Sequence, residues 1–307
     1  MRLSGAIPAT LMPMNADLSL DIAGYRHHLG HLATRQGVGG VVVNGHAAEV
    51  TSLNPRERRH SVQVAVETVD HKVPVIVGIF AQSGPEGAQL AREAEADGAD
   101  GLLVFPLPAL ALGGSQAMGY AYVAAVAEAV DLPLVLFSYP TFTGMAYQLD
   151  TLAELCSIES VCAVKEWSLD IARHERTLGL VRSANHPISL LTSFSTHLLP
   201  ALAVGADGIL SGHGSVVAEL HAELLNLVDK GDLHAAAALY QRLQALVEVT
   251  YAVPMANMYA RMKESLVVLG HPIISAVRPP LSPVQEPERK VLRVALAEAG
   301  LLPEATA

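Results

Sequence analysis

Residues 98–104 read Gly-Ala-Asp-Gly-Leu-Leu-Val, and residues 205–211 read Gly-Ala-Asp-Gly-Ile-Leu-Ser. In both copies a glycine ends a helical stretch and a short apolar run follows, which predicts the same helix-to-strand turn twice. Outward from these copies, short apolar runs keep alternating with longer helical stretches, the pattern of a parallel sheet wrapped by crossover helices. Eight strands, each followed by a helix, predict an α/β fold of the (β/α)₈ TIM-barrel type. The predicted strands are Ala6–Thr10, Gly40–Asn44, Val73–Val77, Gly101–Val104, Leu134–Phe137, Val161–Lys165, Ile188–Leu191 and Gly208–Ser211.

The strand pattern stops after Ser211, and only helical stretches follow. The first of them closes the barrel, and the others form a C-terminal helical extension. No Ser/Gly-rich linker separates the two parts, so we predict one compact body with a barrel over residues 1–228 and a helical region packed on it over residues 229–307. The predicted helices of this part are Val217–Val228, Leu233–Tyr251, Ala256–Leu269 and Pro287–Ala299.

Composition excludes several classes of protein. The chain has 307 residues, of which 51% are apolar and 16% charged, so it can bury a large core and is not disordered. Its net charge of −10 and the lack of a Lys/Arg stripe argue against nucleic acid as a partner. No apolar stretch is long enough to span a membrane, the first residues do not resemble a secretory signal, and two cysteines fit a reducing compartment. We therefore predict a soluble, cytoplasmic protein.

Lys165 is the candidate for covalent chemistry. It ends the apolar run of residues 161–164, and alternation predicts that its side chain shares a face with Val161 and Ala163. If that face is the barrel interior, burial lowers the pKa of the amine, and the neutral amine can attack a carbonyl to form a Schiff base. The alternatives are a lysine that reaches back to solvent or one that pairs with Glu166. The remaining lysines are expected at the surface: Lys72, Lys230, Lys263 and Lys290.

The exit of the second predicted strand carries a turn that suits an anion. Gly45 allows a tight turn, and the N–H groups that follow at His46, Ala47 and Ala48 form a candidate nest for a carboxylate. A loop without a ligand fits the same residues. His46 and His213 both follow a glycine at a strand exit, which makes each a candidate acid or base, with a structural histidine as the alternative.

Other strand exits carry weaker signals. Tyr139, after the fifth strand, is either a proton donor or a packing residue. Residues 211–215 (Ser-Gly-His-Gly-Ser) resemble a small phosphate cradle, so a phosphosugar enzyme is an alternative function. His27, His28 and His31 have helical spacing but no carboxylate at ligand spacing, which favours a solvated helix face over a metal site. There is no Walker loop and no complete GxGxxG after a strand, so we predict neither a metal nor a cofactor.

Four features together resemble the dihydrodipicolinate synthase/N-acetylneuraminate lyase family. They are Lys165 with Glu166 after an apolar strand, the Gly45-to-Glu49 turn, Tyr-Pro-x-x-Thr-Gly at 139–144 and Val-Arg-Pro-Pro-Leu at 277–281. The resemblance runs over nearly the whole chain in the family's order. It implies a (β/α)₈ barrel with a C-terminal helical region, usually a homotetramer, whose lysine forms a Schiff base with pyruvate or another 2-oxo acid.

The resemblance also assigns roles residue by residue. By this match Lys165 is the Schiff-base residue, and His46 and Ala47 lie where backbone and side-chain donors bind the substrate carboxylate. Leu210, with Ser211 beside it, lies where a backbone carbonyl faces the substrate.

The departures from the family pattern bear on the reaction. Phe137 stands at the family's usual catalytic tyrosine, Phe142 stands where the synthases carry an arginine for the second substrate, and both hydroxyls of the turn are missing. These changes argue against dihydrodipicolinate synthase activity and for a more apolar or aromatic second substrate. His46, Tyr139, an ordered water or the substrate carboxylate then takes over proton transfer.

The leading hypothesis is therefore a class I lyase that forms an imine between Lys165 and a 2-oxo acid. It then cleaves or forms a C–C bond, or removes water, at the adjacent carbons, because the iminium is an electron sink. A metal is unnecessary for this chemistry, since the imine itself activates the carbons. The missing tyrosine motivates the competing hypothesis of a 2-oxo acid-binding protein that has lost catalysis.

Overall fold

The computed structural model describes residues 1–193 and 195–302, and in this part of the chain eight parallel strands form one barrel sheet. Both the fold class and the strand count predicted from the sequence are confirmed. Every strand after the first is buried at all of its residues, because its neighbours are helices outside and packed side chains inside. The strands are β1 (Gly5–Pro8), β2 (Val41–Val43), β3 (Val75–Ile79), β4 (Gly101–Val104), β5 (Leu134–Ser138), β6 (Val161–Glu166), β7 (Ser189–Thr192) and β8 (Gly208–Ser211).

Each strand pairs with its neighbour in sequence, from β2 through to β8, and β8 pairs with β1. Two isolated parallel bridges, Ala6 with Val38 and Ala9 with Val42, join β1 to the segment around β2 and complete the ring. The carboxyl ends of all strands therefore meet at one rim, where the loops that follow them come together.

Eleven α-helices surround the barrel or follow it in the described residues. Helices α1 to α8 each follow the strand of the same number; α9 and α10 pack on α8, and α9, α10 and α11 pack on one another. The division of the chain at residue 228 stays a prediction, and residues 303–307 of the predicted C-terminal region lie outside the described residues. The helices are α1 (Ile22–Ala33), α2 (Pro55–Val69), α3 (Gly84–Ala96), α4 (Gln116–Ala127), α5 (Leu149–Leu155), α6 (Ile171–Arg182), α7 (Leu198–Ala203), α8 (Gly214–Asp229), α9 (Leu233–Thr250), α10 (Met258–Val268) and α11 (Glu286–Glu298).

The core has two layers, as the pleat of a barrel requires. One layer fills the barrel interior and continues into the C-terminal helices, and it contains Val42, Ile76 and Phe137. The other lies between the sheet and the helices of the barrel, and it contains Val43 and Val77. Successive residues of a strand alternate between the layers.

A bulge in β6 breaks this alternation and corrects one prediction. Leu134 pairs with Val161, but the next residue of β5 pairs with Ala163, so Cys162 is the additional residue of β6. As a result Val161 packs in the outer layer, whereas Ala163 lies in the inner layer. The predicted shared face of Lys165 and Ala163 is correct, but the sharing with Val161 is wrong.

Two further expectations about surface residues are wrong. Lys263 of α10 is fully buried, where its amine bonds the Glu49 carboxylate and the carbonyl of Ala276. His28 of α1 is also buried, and its Nε2 accepts a hydrogen bond from the N–H of Leu11 at 3.4 Å. In both cases the sequence showed a polar helix face, and another element covers that face in the fold.

Candidate active site

Lys165 lies inside the mouth of the barrel. In the sheet register its neighbours are Phe137 on β5 and Leu191 on β7, which puts three side chains of adjacent strands on one face. The Lys165 side chain is only 5% exposed, and its Nζ lies 3.7 Å from the centroid of the Phe137 ring. Burial lowers the pKa of the amine from 10.5 to about 7. Burial therefore makes the neutral amine, which is the form that attacks a carbonyl, far more abundant near pH 7 than in an exposed lysine.

Neither sequence-based alternative for Lys165 fits the structure. The side chain does not reach solvent, and Glu166 points to the other face of β6. The Glu166 carboxylate accepts a hydrogen bond from the N–H of Ser168 at 2.8 Å and lies 3.1 Å from Nδ1 of His174, with both side chains fully buried. No acidic group or hydrogen bond of the described residues offsets the burial of the amine.

A pocket whose empty volume, open solvent included, is about 420 Å³ opens above Lys165. Its wall is mostly aromatic and apolar, and Lys165 supplies its one charged group within the described residues. The wall is built from strands and loops of the barrel and from the C-terminal helical region. The lining residues are Ala9, His46, Ala47, Phe137, Lys165, Trp167, Ser193, Gly212, Tyr251, Met258, Tyr259 and Met262.

The turn after β2 is held from outside the pocket. Asn44 adopts a left-handed conformation with φ 52°, which asparagine tolerates better than most residues. Its side-chain amide donates to the carbonyl of Arg58 at 2.9 Å and accepts from the Ser61 hydroxyl at 2.7 Å, so the strand end is tied to α2. Gly45 itself is extended, with φ −82°. The tight-turn role predicted for Gly45 therefore belongs to Asn44 and to Glu49, whose φ is 54°.

Glu49 joins this turn to the C-terminal helices. Its buried carboxylate bonds the Lys263 amine of α10 and accepts from the N–H of Arg278 at 3.2 Å. Because α10 also carries Met258, Tyr259 and Met262, this buried ion pair fixes the helix that covers one side of the pocket. Removing one partner of such a pair leaves an uncompensated buried charge, which is strongly destabilising.

His46 and Tyr139 are hydrogen-bonded to each other. Nε2 of His46 contacts the Tyr139 hydroxyl, and both rings pack edge-on against Phe105 and Phe137. Burial lowers the pKa of His46 to about 3, with a smaller contribution from the charge of Lys165, and burial raises the pKa of Tyr139 well above its ordinary value. Both side chains are therefore neutral at physiological pH.

A chain of hydroxyl groups lies behind Tyr251, which lines the pocket. The Tyr251 hydroxyl lies 3.1 Å from Oγ of Ser195, which lies 2.9 Å from Oγ of Ser211. Ser211 also accepts from the N–H of His213 at 3.2 Å. Ser215 donates to the carbonyl of Ala9 at 2.7 Å. The serines of the 211–215 loop are thus engaged within the protein, and the phosphate-cradle interpretation loses its support.

The structure brings some predicted site residues together and separates others. Lys165, His46, Ala47 and Phe137 line one pocket, with Tyr139 directly behind His46. The other predicted site residues do not line the pocket. Gly45 lies one residue before the lining residue His46, Ala48 packs in the outer core layer, and Phe142 is 72% exposed. Leu210 and Ser211 are buried in β8, and His213 is fully buried.

Seven lining residues were missed in the sequence, and one of them, Ala9, directly follows β1. Trp167 and Ser193 directly follow β6 and β7, so a systematic reading of strand exits would have found them. Tyr251, Met258, Tyr259 and Met262 belong to the C-terminal helical region. No local pattern shows that these helices reach the mouth of the barrel, because that contact depends on how the helices pack.

Among the described residues, no group of three or more His, Cys, Asp or Glu side chains is arranged to hold a metal ion. Within the same residues, no helix combines the length and the apolar character that a membrane crossing requires.

The fold and the site together define an aldolase-type barrel, with a buried lysine at the end of β6. Residues 2–299 match the model of the dihydrodipicolinate synthetase family, and the chain belongs to that family. The resemblance seen in the sequence is thereby confirmed, and so is the enzyme class, an aldolase-type lyase.

Relatives in this family carry more than one activity. The chain is 31% identical over 309 residues to the 4-hydroxy-tetrahydrodipicolinate synthase of Methanopyrus kandleri, covering 99% of this chain and 98% of that protein. It is 28% identical over 302 residues, 97% of each chain, to YagE of Escherichia coli strain K12, assigned as a 2-dehydro-3-deoxy-D-gluconate aldolase. The crystal structure of YagE in complex with pyruvate superposes with a TM-score of 0.88 at 28% identity, covering 97% of this chain and 99% of that one.

Proposed function

We propose that this protein is a Schiff-base lyase that condenses Lys165 with pyruvate or a related 2-oxo acid. The observation that carries the proposal is the Lys165 amine, which is buried without an acidic partner and lines a pocket at the mouth of the barrel. A fold seldom retains a lysine whose burial costs so much without using the neutral amine. The pyruvate complex of YagE supports this choice of substrate.

Chemistry follows from the amine. The neutral Lys165 attacks the keto carbon, water leaves, and the resulting iminium withdraws electrons from the neighbouring carbon. In cleavage, the carbon beside the iminium carbon loses its bond to a carbonyl compound, and in condensation it forms that bond. In a dehydration, the carbon after it loses water. The turn after β2 supports binding of the carboxylate of the acid, because the N–H groups of His46 and Ala47 donate to no described backbone group, whereas that of Ala48 donates to the carbonyl of Gly45 at 3.2 Å.

Borohydride trapping tests the proposal. Reduction in the presence of pyruvate should add a pyruvyl mass to Lys165, located by peptide mapping. Lys165→Ala should abolish the adduct, whereas Lys230→Ala, which changes an exposed lysine, should leave it unchanged. A wild-type protein that stays unmodified with pyruvate and with a panel of other 2-oxo acids would refute the proposal.

The second substrate is proposed to be apolar or aromatic rather than an aldehyde acid. Trp167, Tyr259, Met258 and Met262 supply the wall around Lys165, and no arginine lines it in the described residues. A buried carboxylate without a cation would be costly in such a wall. With pyruvate as the first substrate, aromatic aldehydes should therefore react with higher kcat/KM than anionic ones. A preference for the aldehyde acid used by the synthases would overturn this assignment.

We also propose that the chain assembles as a homotetramer, as the family resemblance implies. Two large apolar side chains on neighbouring loops support an interface: Leu112 is 91% exposed and Phe142 is 72% exposed. The loops touch, because a Cβ placed on Gly144 would lie 3.1 Å from Cα of Ala111. Light scattering of the wild type and of Leu112→Asp tests this, and a monomeric wild type would refute it.

A cytoplasmic location completes the proposal. Cys156 and Cys162 are both free and buried, which suits a reducing compartment. Fractionation of the source cells checks the location, and recovery from the exported fraction would contradict it.

A further inference from the structure

Phe137, unlike a tyrosine at this position, brings no hydroxyl group to the pocket. Its ring contacts the Lys165 amine on one side and the His46 ring, with centroids 5.9 Å apart, on another. His46 is also close enough to Lys165 for the lysine charge to lower its pKa. His46 is thus a polar side chain placed beside the reacting amine.

Of the two ring nitrogens of His46, only Nδ1 is available to a ligand. Nε2 is used by the Tyr139 hydroxyl. Nδ1 bonds no described residue, and it is not sealed in the protein, in contrast to both ring nitrogens of the buried His213. His46 also lines the pocket, so a ligand bound there would meet the accessible part of this ring.

Tyr139 determines which ring nitrogen carries the proton. A buried phenol needs an acceptor for its O–H, and Nε2 of His46 is the acceptor that the described residues offer. The hydroxyl therefore donates to Nε2. A neutral imidazole that accepts at Nε2 carries its hydrogen on Nδ1. The pocket is consequently presented with a neutral N–H donor.

We propose that His46 donates this Nδ1–H to the keto oxygen of the 2-oxo acid and that Tyr139 is the positioning residue that fixes the tautomer. This inference rests on the proposed function and adds a residue role to it. As the Lys165 nitrogen bonds to the keto carbon, the C=O electron pair moves onto oxygen, and the Nδ1–H hydrogen bond stabilises the charge that develops there. The proton lost by the amine completes the carbinolamine hydroxyl. One proton from solvent then lets that hydroxyl leave as water, which gives the iminium.

A neutral donor suits this position better than a cation. A charged imidazolium beside Lys165 would place a second positive charge in the same small, apolar volume. A neutral imidazole adds no charge to the pocket. A donor fixed in advance also needs no reorganisation when the charge develops, which is where such groups contribute most.

The rate of pyruvate trapping by the intact enzyme tests the role of each residue. His46→Ala should slow adduct formation roughly 10²-fold, the usual effect of removing one fixed donor to a developing oxyanion. His46→Asn should recover part of the rate, because its amide nitrogen can occupy the position of Nδ1, whereas His46→Gln, whose amide lies near the position of Nε2, should not. Tyr139→Phe should slow the step about tenfold with little change in pyruvate affinity. Tyr122→Phe removes another buried hydroxyl, which bonds the carbonyl of Ile79, and should leave the rate unchanged.

Nitrogen NMR gives a readout that a merely structural role would not move. In ¹⁵N-labelled wild-type protein, the His46 signals, assigned by their loss in His46→Asn, should show the Nδ1–H tautomer. In Tyr139→Phe they should move toward the Nε2–H form. Two results would overturn this inference even if the Lys165 adduct still forms. One is an Nε2–H tautomer of His46 in the wild type. The other is a trapping rate equal to that of wild type in Tyr139→Phe, His46→Asn and His46→Gln. Absence of any wild-type adduct would overturn the proposed function and this inference together.

Discussion

Replacing Lys165 by methionine should stabilise the protein. Methionine has similar length and no charge, so Lys165→Met keeps the packing and removes the need to bury an amine. The Lys165 pKa falls from 10.5 in water to about 7 in the fold. At about 1.4 kcal/mol per pKa unit, this shift corresponds to at most about 5 kcal/mol of folding free energy.

The sign and the pH range follow from proton linkage. Below about pH 7 the lysine is charged in both the folded and the unfolded chain, and the full cost of burying that charge falls on the folded state. Between pH 7 and 10.5 the unfolded chain binds the proton and the folded chain does not, so the cost shrinks by about 1.4 kcal/mol per pH unit. Above that range both forms are neutral and the cost is gone. The gain from Lys165→Met should therefore be largest near pH 6 and nearly absent above about pH 10.

Urea unfolding followed by circular dichroism at several pH values, at one protein concentration, measures this gain. Lys263→Met is the matched control, because Lys263 is also buried but pairs with the Glu49 carboxylate. The same substitution there should cost about 3–5 kcal/mol by leaving that carboxylate unpaired. If Lys165→Met were no more stable than wild type at low pH, or if its gain did not vary with pH, the inference of a partnerless, desolvated amine would be wrong.

Three further outcomes are expected. The rate of borohydride trapping at Lys165 should rise with pH through about 7 and then level off, because burial lowers the amine pKa to that value; a midpoint near 10 would show an ordinary lysine. Phe137→Tyr should leave turnover unchanged or lower it, because the pocket is packed around the phenylalanine ring; a large rise in kcat would instead identify a decayed site. Trp167→Ala should lower the kcat/KM preference for aromatic over small aliphatic aldehydes about tenfold or more, as measured with a panel of aldehydes, and an unchanged preference would remove Trp167 from the specificity wall.

Much of the fold could be read from the sequence because barrel strands have a strong local signal. Each is short and apolar, and each after the first is preceded by a helix end, so all eight were found, although several bounds moved by one or two residues. The strand β3 begins at Val75 rather than Val73, since Pro74 has no N–H to donate to the ladder. The bulge at Cys162 had no local signal, because it is a mismatch between two strands and becomes visible only when β5 and β6 are paired.

The candidate site likewise contains features that one segment shows and features that form only between distant segments. Lys165 could be identified from the sequence because a chargeable side chain at the end of an apolar strand is unusual, and a single short segment shows it. The His46–Tyr139 hydrogen bond joins residues 93 positions apart, and neither segment alone shows it. The surface assignment of Lys263 failed for the same reason, since its partner Glu49 lies 214 positions away.

By itself, the sequence determined the barrel, the family and the lysine, because these depend on patterns within a strand and its loop. Tertiary structure alone decided that the amine has no acidic partner, that His46 is held by Tyr139, and that helix α10 supplies part of the pocket wall. These are contacts between distant segments, and their existence depends on how closely two packed elements approach one another, a quantity that no single stretch of residues contains.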